Sequence, residues 1–96
     1  MSTLHILLRS PSSATEMEEG LRFAQPGDGI VLAQDAVFAL RTVEKEINTE
    51  ASTRNLKFYA LKPDMLARAI EATAPVQPID YDDLIDLLGQ YERTHS

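Results

Sequence analysis

Ninety-six residues suffice for one domain, and a chain of this length buries roughly 60–70% of its unfolded surface, enough to fold without covalent staples. Hydrophobic residues make up 44% and charged residues 25%, which excludes a disordered chain, and apolar runs such as Ile30–Ala33 and Ala36–Leu40 fall far short of the roughly 20 residues that cross a bilayer. Nine Lys/Arg against fifteen Asp/Glu leave a formal charge of −6, which opposes direct, sequence-independent binding of nucleic acid; zero cysteines remove disulfides, thiolate metal sites and a cysteine nucleophile.

The N-terminus runs straight into an alternating segment, so no secretory signal peptide is expected, and a reduced cytoplasm fits. Thr3–Leu8 reads as a strand with Leu4, Ile6 and Leu8 on one face and His5 and Leu7 on the other, the pattern of a covered parallel strand. Arg9-Ser10-Pro11 ends it. Ser13-Ala14-Thr15-Glu16 fits a capping box, and Ala14, Met17, Leu21 and Ala24 recur at helical spacing. Gln25–Gly29 is a break. Gly29–Gln34 is a second, buried strand, after which Asp35 is placed to cap a helix with Val37, Leu40, Val43 and Ile47 as its stripe. The polar stretch Asn48–Asn55 reads as a connection into which the helix could extend.

Leu56–Leu61 is the third strand, with Phe58 and Tyr59 on opposite faces. Lys62-Pro63-Asp64 opens a helix whose apolar face is Leu66, Ala69 and Ile70, ended by Ala74-Pro75. Val76–Ile79 is a short fourth strand, in which Pro78 indicates an edge or a bulge. Asp80 caps a last helix with Leu84, Leu87, Leu88 and Tyr91 inward and Ile85 beside them; Glu92–Ser96 shows no pattern. Four alternating strand–helix units predict a single α/β domain over residues 1–96. The expected form is a small three-layer sandwich, a mostly parallel four-stranded sheet with helices on both faces. So thin a sheet needs its edges covered, and a partner subunit is one means.

In such a fold ligands meet the carboxyl ends of the strands, here Arg9-Ser10, Gln34-Asp35, Lys62–Asp64 and Asp80-Tyr81. Helix capping accounts equally for Asp35 and Asp80. No GxGxxG, GxxxxGK[ST] or G-x-S-x-G motif is present, so neither a nucleotide cofactor nor a serine nucleophile is expected. His5 reads as a packed, hydrogen-bonded strand residue and His95 as a tail residue, which leaves no expected metal site. Asp82 and Asp86 read as a solvated acidic face, and Asp64 with Arg68 as a surface pair.

The run Leu4-His5-Ile6-Leu7-Leu8-Arg9-Ser10-Pro11 resembles the opening of the TusB/DsrH family of sulfur-relay proteins, and three later segments match in order. Ile30–Val37 is similar to the family's strand ending in Gln-Asp-Gly-Val, with Ala36 in place of the glycine. Tyr59–Arg68 is similar to its Tyr-Ala-Leu segment followed by Asp and Ala-Arg, and Ile79–Leu87 to its closing Asp-Tyr helix. Residues 43–55 look longer than in many relatives, and the family's aromatic C-terminal ending is absent.

The resemblance implies a DsrE/DsrF-like fold and a place in a hetero-hexamer with TusC/DsrF-like and TusD/DsrE-like paralogues. Such complexes relay persulfide sulfur toward 2-thiolation of the tRNA wobble uridine, or serve sulfur oxidation. The persulfide cysteine belongs to the TusD/DsrE-like subunit, in keeping with a chain that has none. The expected role is thus a non-catalytic cytoplasmic subunit without a cofactor, with Arg9, Gln34, Asp35, Asp64, Arg68 and Tyr81 as candidate contact residues and no catalytic residue of its own. The alternatives are a homo-oligomeric relative outside the relay and a small-metabolite enzyme using His5 with carboxylates.

Overall fold

The structure is a computed structural model that describes residues 2–11 and 13–95, the side chain of Ala14 excepted. The expected place of Ala14 in the first helix's core stripe therefore lies outside what is described. Five strands run parallel: β1 (Thr3–Leu7), β2 (Gly29–Leu32), β3 (Lys57–Leu61), β4 (Gln77–Ile79) and β5 (Arg93–His95), in the order β4-β3-β2-β1-β5. Between them lie α1 (Ala14–Gly20), a 3-10 turn (Gln34–Phe38) leading into α2 (Ala39–Thr42) and α3 (Glu44–Thr53), then α4 (Lys62–Ala67) and α5 (Tyr81–Gln90).

The topology explains the layers. The first three crossovers each step one strand the same way, so α1 to α4 share one face of the sheet, and the return from β4 to β5 carries α5 over the other. Alternation along the strands feeds both cores. Ile30, Leu32, Phe58 and Ala60 pack with Met17, Leu21, Val37, Leu40, Val43, Ile47, Met65 and Ile70, while Leu4, Val31, Tyr59, Leu61 and Ile79 pack with Leu84, Leu87 and Tyr91. Central β2 is buried on both faces, as its unbroken Ile-Val-Leu requires.

Several expectations change. The sheet has five strands, not four: Arg93–His95 pairs with Thr3–His5, and three exposed residues are too few to display a period. The stretch Asn48–Asn55 is largely helical as far as Thr53, because Ile47 and Ala51 anchor one side of α3 on the core. Helix α4 stops at Ala67, and Ala69 turns into the left-handed region at φ 53°. Ile70 thus reaches the core by a turn, and Leu66 is 82% exposed instead of facing inward; Ala69 is exposed too. Leu88 is 41% exposed, on the flank of α5 and not beneath it.

The caps follow local chemistry. The Ser13 hydroxyl accepts from Glu16 N, and Asp80 with Asp83 forms a full capping box at α5. Asp35 is not a cap. It lies inside the 3-10 turn, whose cap position is Ala33, which has no acceptor to offer.

Candidate functional site

The carboxyl ends of β2 and β3 are tied together by a polar network. Gln34 takes the left-handed conformation, φ 51°, where the chain swings sharply out of β2. Its amide donates to Asp64 Oδ2 at 2.7 Å, so the carboxylate at the start of α4 supplies the acceptor that Ala33 lacks. Arg68, one helical turn on, donates through Nη1 to the Asp64 carbonyl at 3.2 Å and lies 3.9 Å from Asp64 Oδ1. Its Nε donates to Asp35 Oδ1 at 3.0 Å. The expected Asp64–Arg68 pair is present, and it is joined with Gln34 and Asp35 into one unit linking two loops.

Arg9 and Tyr81 stand outside that unit. Arg9 is exposed just past β1, beside a shallow recess lined by Leu7, Ser10, Pro11 and Met17. Tyr81 is the first residue of α5 and more than half exposed. The unit carries two carboxylates, one guanidinium and an exposed amide side chain. It has the composition of a polar contact surface and holds no nucleophile.

A second polar cluster joins His5, expected as a packed, hydrogen-bonded residue and named in the alternative enzyme reading, to a carboxylate that the sequence did not single out. Asp28, in the Gly27-Asp28-Gly29 turn, is buried, and its Oδ1 accepts from Thr3 N at 2.9 Å while Oδ2 accepts from Gln25 N and His5 Nε2, each at 2.9 Å. Burial raises the Asp28 pKa, but the hydrogen bonds from Gln25, His5 and Thr3 together outweigh it and hold the group below the ordinary carboxylate value. The His95 ring lies edge-on to His5, 5.7 Å between centroids, above a recess that Phe23 and Arg93 also line. The available signal was the lone histidine in a strand apolar around it, since a buried imidazole requires a partner. Among the described residues, the hydroxyls lining that recess are Thr3 and Thr94, and the His5–Asp28 pair secures the start of β1 through the bond to Thr3 N.

Beyond this cluster, Tyr91 closes the α5 face over Gly29. A Cβ on Gly29 would lie 2.6 Å from the Tyr91 hydroxyl, so only glycine leaves room for the ring. The Tyr91 and Tyr59 hydroxyls are 3.4 Å apart, and burial, with that contact, pushes the Tyr91 pKa upward. Among the described residues no group of three or more His, Cys, Asp or Glu is arranged to hold a metal ion, and no helix is long and apolar enough to cross a membrane.

Comparison with known proteins adds family information to this geometry. The profile of a family described as "DsrH like protein" matches residues 9–94, nearly the whole chain. Among solved structures, protein Tm0979 from Thermotoga maritima is similar at 31% identity and a TM-score of 0.62, covering 92% of each chain. The ychN protein from E. coli superimposes with a TM-score of 0.74 over 98% of this chain and 97% of its own; at 12% identity that likeness concerns the fold alone. No curated protein matches the sequence.

Proposed function

The chain belongs to the DsrH-like family, and on that premise we propose that it is a non-catalytic subunit of a cytoplasmic sulfur-relay complex. Its partners in this reading are TusC/DsrF-like and TusD/DsrE-like paralogues, and the complex supports persulfide transfer toward tRNA wobble-uridine 2-thiolation or sulfur oxidation. The family match over residues 9–94 is the observation that carries the reading. A chain without cysteine cannot hold a persulfide, so the sulfur travels on a partner's thiolate. The surface chemistry is in keeping with contact work. The Gln34–Asp35–Asp64–Arg68 unit presents fixed charges and hydrogen-bonding groups at the end of the sheet where this fold class meets its ligands.

The test is the solution mass of the chain alone and co-expressed with both paralogues of its source. A closed complex with about two copies of each subunit is the expected result. A chain that ignores both paralogues and runs as a self-contained oligomer sinks the relay reading. Within a complex, Gln34→Ala with Asp35→Ala is expected to weaken assembly more than folding. Unchanged assembly by the folded variant moves the contact away from these residues.

A further inference from the structure

We infer that the outward flank of α5 is a docking surface for a protein partner whose contact patch is an apolar hollow rimmed by lysine and arginine, and not for a second copy of this chain. The inference rests on the relay reading and assigns a face to the partner which that reading requires. At 100° per residue, Leu84, Leu87 and Tyr91 turn to the sheet, and Tyr81, Ile85 and Leu88 form the adjoining stripe. Those three are 56%, 66% and 41% exposed, so an apolar ridge runs along α5 that none of the described residues covers.

Charge identifies the occupant. Residues 80–92 contain five acidic residues and no basic one, whereas the rest of the chain has ten acidic against nine basic. Nearly the whole formal charge of −6 therefore sits on this one segment. Asp82 and Asp86, one turn apart and exposed, border the ridge. A two-fold self-contact through α5 places the same surface opposite itself, so Asp82 and Asp86 meet their own copies, and the nearby cation Lys62 is drawn to Asp80 at the helix start. The chain's other exposed aromatic, Phe23, lies beside Arg22 and at 79% exposure protrudes, and the recess it lines with Arg93 is walled mainly by Thr3, His5, Thr94 and His95. A standard interface takes about 800 Å² from each partner around an apolar centre with a polar rim. The Tyr81–Ile85–Leu88 ridge supplies that centre, and the aspartates supply the rim.

The experiment titrates the purified chain against its co-purified TusC/DsrF-like and TusD/DsrE-like paralogues, with light scattering on each mixture. Tyr81→Ser with Ile85→Lys changes the two most exposed ridge residues; it is expected to leave the circular dichroism intact and to weaken binding about thirtyfold, the scale of a central anchor. Asp82→Lys with Asp86→Lys spares the ridge and is expected to weaken binding about tenfold at low salt, with the difference shrinking as salt rises. Wild-type binding of both folded variants overturns the α5 assignment and leaves the relay reading standing. A wild-type chain that binds neither paralogue overturns both. Self-association of the wild type that Ile85→Lys dissolves identifies a second copy as the occupant and overturns the choice of partner.

Discussion

Asp28 and Asp64 perform the same task at two depths. Each lies beside a turn at a strand end and accepts from the backbone of a segment distant in sequence: Asp28 from Thr3 N at 2.9 Å, Asp64 from Gln34 N at 2.7 Å. Each also has a basic side chain beside it, His5 for Asp28 and Arg68 for Asp64. Asp28 is buried and collects three donors, whereas Asp64 is only half-buried and Arg68 divides its contacts between Asp64 and Asp35. Water can replace a lost acceptor at the second place and not at the first. The donors are similar, so burial decides what each carboxylate is worth.

The sharpest way to break the comparison is Asp28→Asn. An amide of the same shape turns an NH2 toward either Thr3 N–H or the His5 and Gln25 donors, leaving a buried donor without an acceptor. The expected loss is about 2–3 kcal/mol, or roughly 10–20 °C in Tm for a domain of this size, read by urea and thermal unfolding. A loss below about 1 kcal/mol would mean that water reaches the site. Close behind comes Gly29→Ala on the same turn, where the added methyl meets the Tyr91 ring and Leu4; overpacking of this kind costs about 1–3 kcal/mol. Gly29→Ala combined with Tyr91→Leu is expected to recover part of it.

Acid sharpens the contrast through linkage. The folded-state pKa of Asp28 lies below its ordinary value of 3.8, so its ionised form adds stability that is fully present above the unfolded value. That stability is lost as pH falls through the depressed folded value. Stability in the wild type is therefore expected to drop below pH 4 more steeply than in Asp28→Asn, and parallel profiles would count against the linkage.

The difference in depth also explains what could be read in advance. The α/β class and the first four strands followed from short β-rich apolar runs such as the unbroken Ile30-Val31-Leu32. Helical spacing put Val37, Leu40, Val43 and Ile47 in the core even though the chain there divides into a 3-10 turn and two helices. Leu66, Ala69 and Leu88, assigned inward by the same spacing, are exposed. Strand β5 escaped because Arg93-Thr94-His95 is exposed and polar, and only the register against Thr3–His5 makes it a strand. The exposed network was visible residue by residue, since polar groups at strand ends are expected there. Of its connections only the Asp64–Arg68 pair, four apart, was legible; the link between the two loops was not, because Asp64 meets Gln34 across thirty positions of sequence. Asp28 escaped entirely: between two glycines it reads as turn chemistry, and nothing local reports that His5 faces it.

On the exposed side the effects shrink. Asp64→Ala removes the acceptor for Gln34 N, and solvent takes it over, at a cost of about 1 kcal/mol, the usual value of a lost cap. Unfolding that matches Asp28→Asn in size would erase the distinction of depth.

Arg68→Ala is the smallest expected change in stability and the most informative about function. Asp35 is largely exposed, so its 3.0 Å contact with Arg68 is screened and worth about 0.2–1 kcal/mol at most. If the network served only the fold, assembly with the relay paralogues would then be almost unchanged. Under the relay reading the guanidinium holds Asp35 and the start of α4 in one arrangement for a partner, so the variant is expected to lose affinity for the paralogues while its urea midpoint barely moves. Arg68→Lys tells positioning from charge. It keeps the cation but lacks the planar fork that reaches Asp35 and the Asp64 carbonyl together, so affinity restored by lysine would assign the effect to charge alone.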